Sequence, residues 1–115
     1  MPDALAPNDP GARDPDLRRL LDRIVAAYEP ERVYLFGSRA AGTADAGSDY
    51  DLLVVVPDDT PAERLSPVWL SETVLTLPVP ADVFPCRQGS FERARGAVGT
   101  LSHTAATRGR VVYER

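Results

Sequence analysis

Residues 32–56 read RVYLFGSRAAGTADAGSDYDLLVVV. Arg32 to Phe36 is a β-branched and aromatic run, the composition of a short strand. Asp51 to Val56 is a second strand, apolar almost throughout, as expected where both faces of a sheet are covered. Between them Gly37 to Asp49 is a polar loop carrying Gly37, Gly42 and Gly47.

Upstream, Leu17, Leu20, Leu21, Ile24, Val25 and Tyr28 recur at helical spacing, with Asp16 as the expected N-cap and Pro30 as the stop. Downstream, Pro57, Pro61 and Pro67 interrupt the chain, and a helix is expected from about Ser66 to Leu77, with Ser66 as cap and Pro67 at the first helical position. Ala81 to Cys86 gives a third strand. Ser90 to Arg108 reads as one helix capped by Ser90, with Phe91, Ala94, Val98, Leu101 and Ala105 on its apolar face. Gly109 ends it, and Arg110 to Tyr113 makes a last short strand. The order α-β-β-α-β-α-β predicts one α/β (α+β) layer structure, a small mixed sheet with helices packed on it. Residues 1–14, with three prolines, are expected to be a disordered arm, and residues 15–115 the folded domain.

A chain of 115 residues suits one domain, and 43% hydrophobic residues place it among globular chains. No apolar run approaches the roughly 20 residues of a membrane span, and the first residues lack the apolar core of a signal peptide, so a cytoplasmic protein is expected. The lone cysteine, Cys86, forbids an internal disulfide or a cysteine-based zinc cluster, and its place after Pro85 in an apolar stretch suits a half-buried structural thiol. Net charge is −4, which disfavours long nucleic acid as a ligand.

The chemistry gathers at Gly37–Ser38 and Asp49–Tyr50–Asp51. Side chains at i and i+2 of a strand share a face, so Asp49 and Asp51 point together while Tyr50 points away. Two such carboxylates repel unless a cation neutralises them. Mg²⁺ fits, because it prefers oxygen and usually takes one or two carboxylates together with substrate phosphates. Gly37 allows a tight turn and a close backbone approach to a ligand. Ser38 can bond a phosphate oxygen, and Arg39 adds a planar, permanently charged donor set. Neighbouring strands would bring loop and carboxylates to one sheet edge, where a metal-bound nucleoside triphosphate could sit. The chain has no lysine, which excludes a P-loop.

The stretch G-S-R-A-A-G-T-A-D-A-G-S-D-Y-D-L-L-V-V resembles the G-S-x10-D-x-D signature of the minimal nucleotidyltransferases, small members of the DNA polymerase beta-like superfamily. The leading helix, the later strand with Asp82 and the tail Arg-Gly-Arg-Val-Val-Tyr-Glu are consistent with it. The resemblance implies a polymerase-beta-like nucleotidyltransferase fold and a Mg²⁺-dependent transfer of AMP from ATP to a hydroxyl. Gly37 and Ser38 would touch the triphosphate, beside Arg39, a phosphate donor by its residue type. Asp49 and Asp51 would ligate two Mg²⁺, and Asp82 would be the third carboxylate, facing the metals and activating the acceptor. It also implies a partner, a helical HEPN-domain toxin modified on a tyrosine, with this chain as antitoxin and assembly as a homo- or hetero-oligomer. A small-molecule acceptor such as an aminoglycoside, or a non-catalytic module that silences its partner by binding, are the alternatives.

Three further features read as structural. His103 has no cysteine or second histidine beside it in sequence, which suits a surface or cap position. Trp69, at helical spacing with apolar neighbours, suits the core. Arg93, Arg95, Arg108 and Arg110 suit either a solvated face or a patch facing a partner.

Overall fold

The computed structural model describes residues 14–42 and 48–115, so most of the expected N-terminal arm lies outside the described residues. A four-stranded mixed sheet runs in the order β3-β2-β1-β4. Its strands are β1 (Arg32–Phe36), β2 (Tyr50–Val56), β3 (Ala81–Arg87) and β4 (Arg110–Glu114). β1 lies antiparallel to both β2 and β4, while β2 and β3 are parallel. Among the described residues five α-helices accompany it: α1 (Pro15–Tyr28), α2 (Ser38–Ala41), α3 (Pro67–Thr73), α4 (Gln88–Ala94) and α5 (Leu101–Arg108). The expected small mixed sheet with helices packed on it is the fold.

Alternation along β2 divides the core in two. Leu52, Val54 and Val56 face the side covered by α1 and α3, where they meet Leu17, Leu20, Leu21, Ile24, Leu70 and Val74. Leu53 and Val55 face the other side and pack with Tyr34, Phe36, Phe91 and Ala105 beneath α4 and α5. Burial on both faces explains why β2 is nearly pure Leu and Val. Each buried aliphatic side chain contributes about 1.5–3 kcal/mol by leaving water.

Beyond single residues at strand ends, four features depart from the sequence reading. Helix α1 is capped by Asp14, not Asp16: Asp14 Oδ1 accepts from the amides of Asp16 and Leu17 at 3.1 and 3.3 Å. Pro15 explains the shift of two residues, since its fixed φ and missing N–H suit the first helical position and place the cap at the residue before it. Helix α3 starts as expected, with Ser66 Oγ accepting from Val68 and Trp69, but ends at Thr73 instead of Leu77. Thr73, Val74 and Thr76 are β-branched, and Pro78 and Pro80 bias the residues before them towards extended backbone.

The expected helix over Ser90–Arg108 is two helices. The first begins at Gln88, where Asp58 Oδ1 accepts from the Gly89 amide at 2.8 Å. It stops at Ala94, and Gly99 then adopts φ 95°, a left-handed conformation that glycine takes at little cost. Thr100 caps the second helix by accepting from the His103 amide at 3.1 Å. Lastly, Gly37–Asp49 is not all loop, because residues 38–41 form one helical turn.

Candidate functional site

At the end of β1 the chain turns at Gly37, which has φ 76° and ψ −157°. An L-residue is unfavourable there for a second reason. A Cβ built on Gly37 would stand 2.2 Å from Oδ2 of Asp51. The Asp51 carboxylate therefore lies over the bare face of the glycine. The pairing of strands accounts for this, since Asp51 is the register partner of Phe36, the residue before Gly37. Helix α2 follows at once, with Ser38 as its first residue and the Ala41 amide donating to Gly37 O at 3.1 Å.

Asp51 is also the register partner of Asp82 across the parallel β2–β3 ladder. Directly opposed residues of neighbouring strands share a face, and Asp49, two residues before Asp51, belongs to the same face. The Tyr50 amide donates to Pro80 O at 3.0 Å, which brings the starts of β2 and β3 together. Asp49 and Asp82 are exposed and Asp51 is half-buried. Burial, and then the charges of Asp82 and Asp49, raise the Asp51 carboxyl above the ordinary carboxylate value. Asp82 and Asp49 both act electrostatically on Asp51, which makes Asp51 the centre of the set.

Among the described residues no group of three His, Cys, Asp or Glu side chains is arranged to hold a metal ion by itself. That is compatible with a site completed by its substrate. Mg²⁺ retains waters and binds through one or two carboxylates plus phosphate oxygens. The donor set fits on chemical grounds: it is all oxygen, its central carboxyl is raised by burial and then by its acidic neighbours, and bare glycine backbone lies alongside it.

Tyr50 points to the opposite side, as its place in the alternation requires, and is buried. Its hydroxyl donates to Asp14 Oδ2 at 2.6 Å. Its ring lies under the guanidinium of Arg39, 4.0 Å from the ring centroid. Arg39 also donates through Nε and Nη2 to the Ser48 carbonyl at 3.1 and 2.9 Å. Arg39 thus ties its own helical turn to the strand that carries the carboxylates. The sequence reading missed Asp14 in this role. No local spacing could have shown it, because the two partners are 36 residues apart.

Other singled-out residues lie away from this cluster. Trp69 packs at the core's margin, edge-on to Tyr28 with ring centroids 5.4 Å apart. His103 is part-buried in α5. Cys86 is half-buried in β3, where burial raises its thiol and so lowers its reactivity. Arg93, Arg95, Arg108 and Arg110 are exposed, and Arg95 pairs with Glu92 at 3.3 Å. Among the described residues no helix is long and apolar enough to cross a membrane.

A family model described as a nucleotidyltransferase domain matches residues 17–101. No curated protein matches the chain. Among solved structures, the chain is similar to a candidate nucleotidyltransferase from Sulfolobus solfataricus, at 18% identity and a TM-score of 0.55, over 91% of this chain and 88% of that one. It is also similar to a chain of a toxin–antitoxin complex with AMP-PNP, at 23% identity and a TM-score of 0.52, over 86% of this chain and 70% of that one. At these identities the likeness is one of fold.

Proposed function

This chain belongs to the nucleotidyltransferase domain family, and from that premise we propose that it transfers AMP from ATP to a tyrosine hydroxyl of a HEPN-type toxin partner, as that partner's antitoxin. The observation that carries the reading is the position of Asp51, directly over Gly37 and directly opposite Asp82. A triphosphate drawn to the bare Gly37 backbone would lie beside the carboxylates. Ser38 would donate to a phosphate oxygen, and Arg39 would add positive charge at the same turn.

Asp49 and Asp51, with Asp82, would hold two Mg²⁺, which when bound neutralise phosphate charge and clamp the attacking and leaving oxygens of an in-line displacement. The acceptor oxygen attacks the α-phosphorus, and the bond from that phosphorus to the oxygen bridging the β-phosphate breaks. Pyrophosphate leaves, and the acceptor's proton passes to Asp82. The remaining contribution of the chain is positioning.

Two considerations support a protein acceptor. Asp49 and Asp82 are exposed, so water must be excluded by something other than the described residues if hydrolysis is not to compete. A similar fold also occurs in a toxin–antitoxin complex with AMP-PNP. The test is to incubate the chain with ATP, Mg²⁺ and a HEPN-type partner and to weigh the partner intact. Addition of AMP units on tyrosine supports the reading. A partner that is bound and silenced but unmodified contradicts it, as does efficient modification of an aminoglycoside.

A further inference from the structure

Residues 48 to 51 alternate between clamped and open positions. Ser48 is held through its carbonyl by two donors of Arg39. Tyr50 is held at both ends, its ring beneath the Arg39 guanidinium and its hydroxyl on Asp14 Oδ2. Asp14 is itself anchored, because its other oxygen caps α1 through the amides of Asp16 and Leu17. Asp49 and Asp51 occupy the positions between and after these clamps and take the open face.

This arrangement has a mechanical consequence. Like charges on Asp49, Asp51 and Asp82 push apart, and a strand end free to move would relax by separating them. Here the end of β2 is fastened on its buried side, so the repulsion is retained until a cation relieves it. The fastening reaches three elements: the first turn of α1, the start of β2 and the turn of α2, which begins at Ser38. The hydrogen bond from the Tyr50 hydroxyl to Asp14 Oδ2, at 2.6 Å, lies at the short end of the range for such bonds.

We propose that Asp14, Tyr50 and Arg39 are positioning residues that hold Asp49 and Asp51 together against their repulsion and thereby set the affinity of the site for metal-bound triphosphate. The proposal rests on the reading of the site given above. It assigns no contact with substrate to Asp14 or Tyr50. Partners that orient metal-binding side chains from behind commonly alter metal affinity about 10–100-fold when removed.

Tyr50→Phe keeps the ring beneath Arg39 and deletes only the bond to Asp14. Asp14→Ser keeps an N-cap while removing the reach to Tyr50. Each full-length variant and the parent chain are titrated with ATP by calorimetry over a series of Mg²⁺ concentrations, and their thermal midpoints are recorded without metal. The half-saturating Mg²⁺ concentration should rise about 10-fold or more in each variant. Excess Mg²⁺ should restore ATP affinity. The double variant should add little to either single change, since both break one hydrogen bond. If Tyr50→Phe does not fold, Asp14→Ser carries the same comparison with its cap retained. A purely structural role predicts lower thermal midpoints with an unchanged Mg²⁺ requirement, and that result overturns the brace alone. Failure of the parent chain to bind ATP in a Mg²⁺-dependent way overturns the site reading and the brace together.

Discussion

Asp51 and Asp82 face each other directly across the parallel β2–β3 ladder, and the Asp51 carboxyl is raised by burial and by the charges of Asp82 and Asp49. A carboxyl whose folded pKa lies above its unfolded value binds more protons in the folded state, so ionising it opposes folding. The penalty is absent below the unfolded value, develops as pH rises above 3.8, and is complete once pH exceeds the raised value. In chelator, the stability contribution of Asp51 should therefore fall as pH rises through that window. Asp51→Asn should flatten this component and stabilise the neutral-pH protein by less than about 1 kcal/mol, since solvent screens the open site. Parallel denaturant melts from about pH 4 to about pH 7 measure both effects. A variant less stable than the parent at neutral pH would contradict the repulsion.

Gly37→Ala should damage both fold and binding. The new methyl meets Asp51 Oδ2 and also forces a side chain into a left-handed turn at φ 76°. A cost of about 1–3 kcal/mol is expected, together with loss of ATP affinity as Asp51 is displaced. Denaturation midpoints and calorimetry read the two separately. Unchanged ATP affinity would show that the Gly37–Asp51 contact is not part of the site.

Asp82 should separate rate from affinity. If it takes the acceptor proton, Asp82→Asn should lower turnover by about 10²-fold or more, while ATP affinity changes only a few-fold. Single-turnover rates beside equilibrium binding decide this. Near-parental turnover would reduce Asp82 to a structural residue at a strand start.

The core beneath α4 offers a test of the fold. Phe91 is 1% exposed and stacks on Tyr34 with ring centroids 5.4 Å apart. Phe91→Ala should cost about 3–5 kcal/mol, a large share of the stability of a domain this size. A small loss in chemical denaturation would mean that α4 packs loosely on the sheet.

Much of this architecture is legible in the sequence because it is local. Strand composition, the i, i+2 placement of Asp49 and Asp51, and the Ser66–Pro67 helix start depend on neighbours a few residues apart. The split between α4 and α5 was not legible, since Gly96 and Gly99 can be tolerated inside a helix and only their context shows a break. The α1 cap was legible in principle, because Pro15 belongs just inside a helix and points to Asp14. The link from Asp14 to Tyr50 depends on the whole fold, and nothing in the intervening residues encodes it visibly. The residue type of Arg39 points to a phosphate donor, whereas its contacts with Ser48 and Tyr50 give it a second task.

The central claim is nucleotidyl transfer, and isotope position tests it most directly. The chain is incubated with Mg²⁺ and the proposed HEPN-type partner, once with ATP labelled at the α-phosphate and once with ATP labelled at the γ-phosphate. The account predicts that α-label becomes covalently attached to the partner while γ-label leaves in pyrophosphate, and that chelator abolishes the attachment. Transfer of γ-label would make the reaction phosphorylation, and absence of both labels from a fully bound partner would leave no nucleotidyl transfer. Either result would contradict the account.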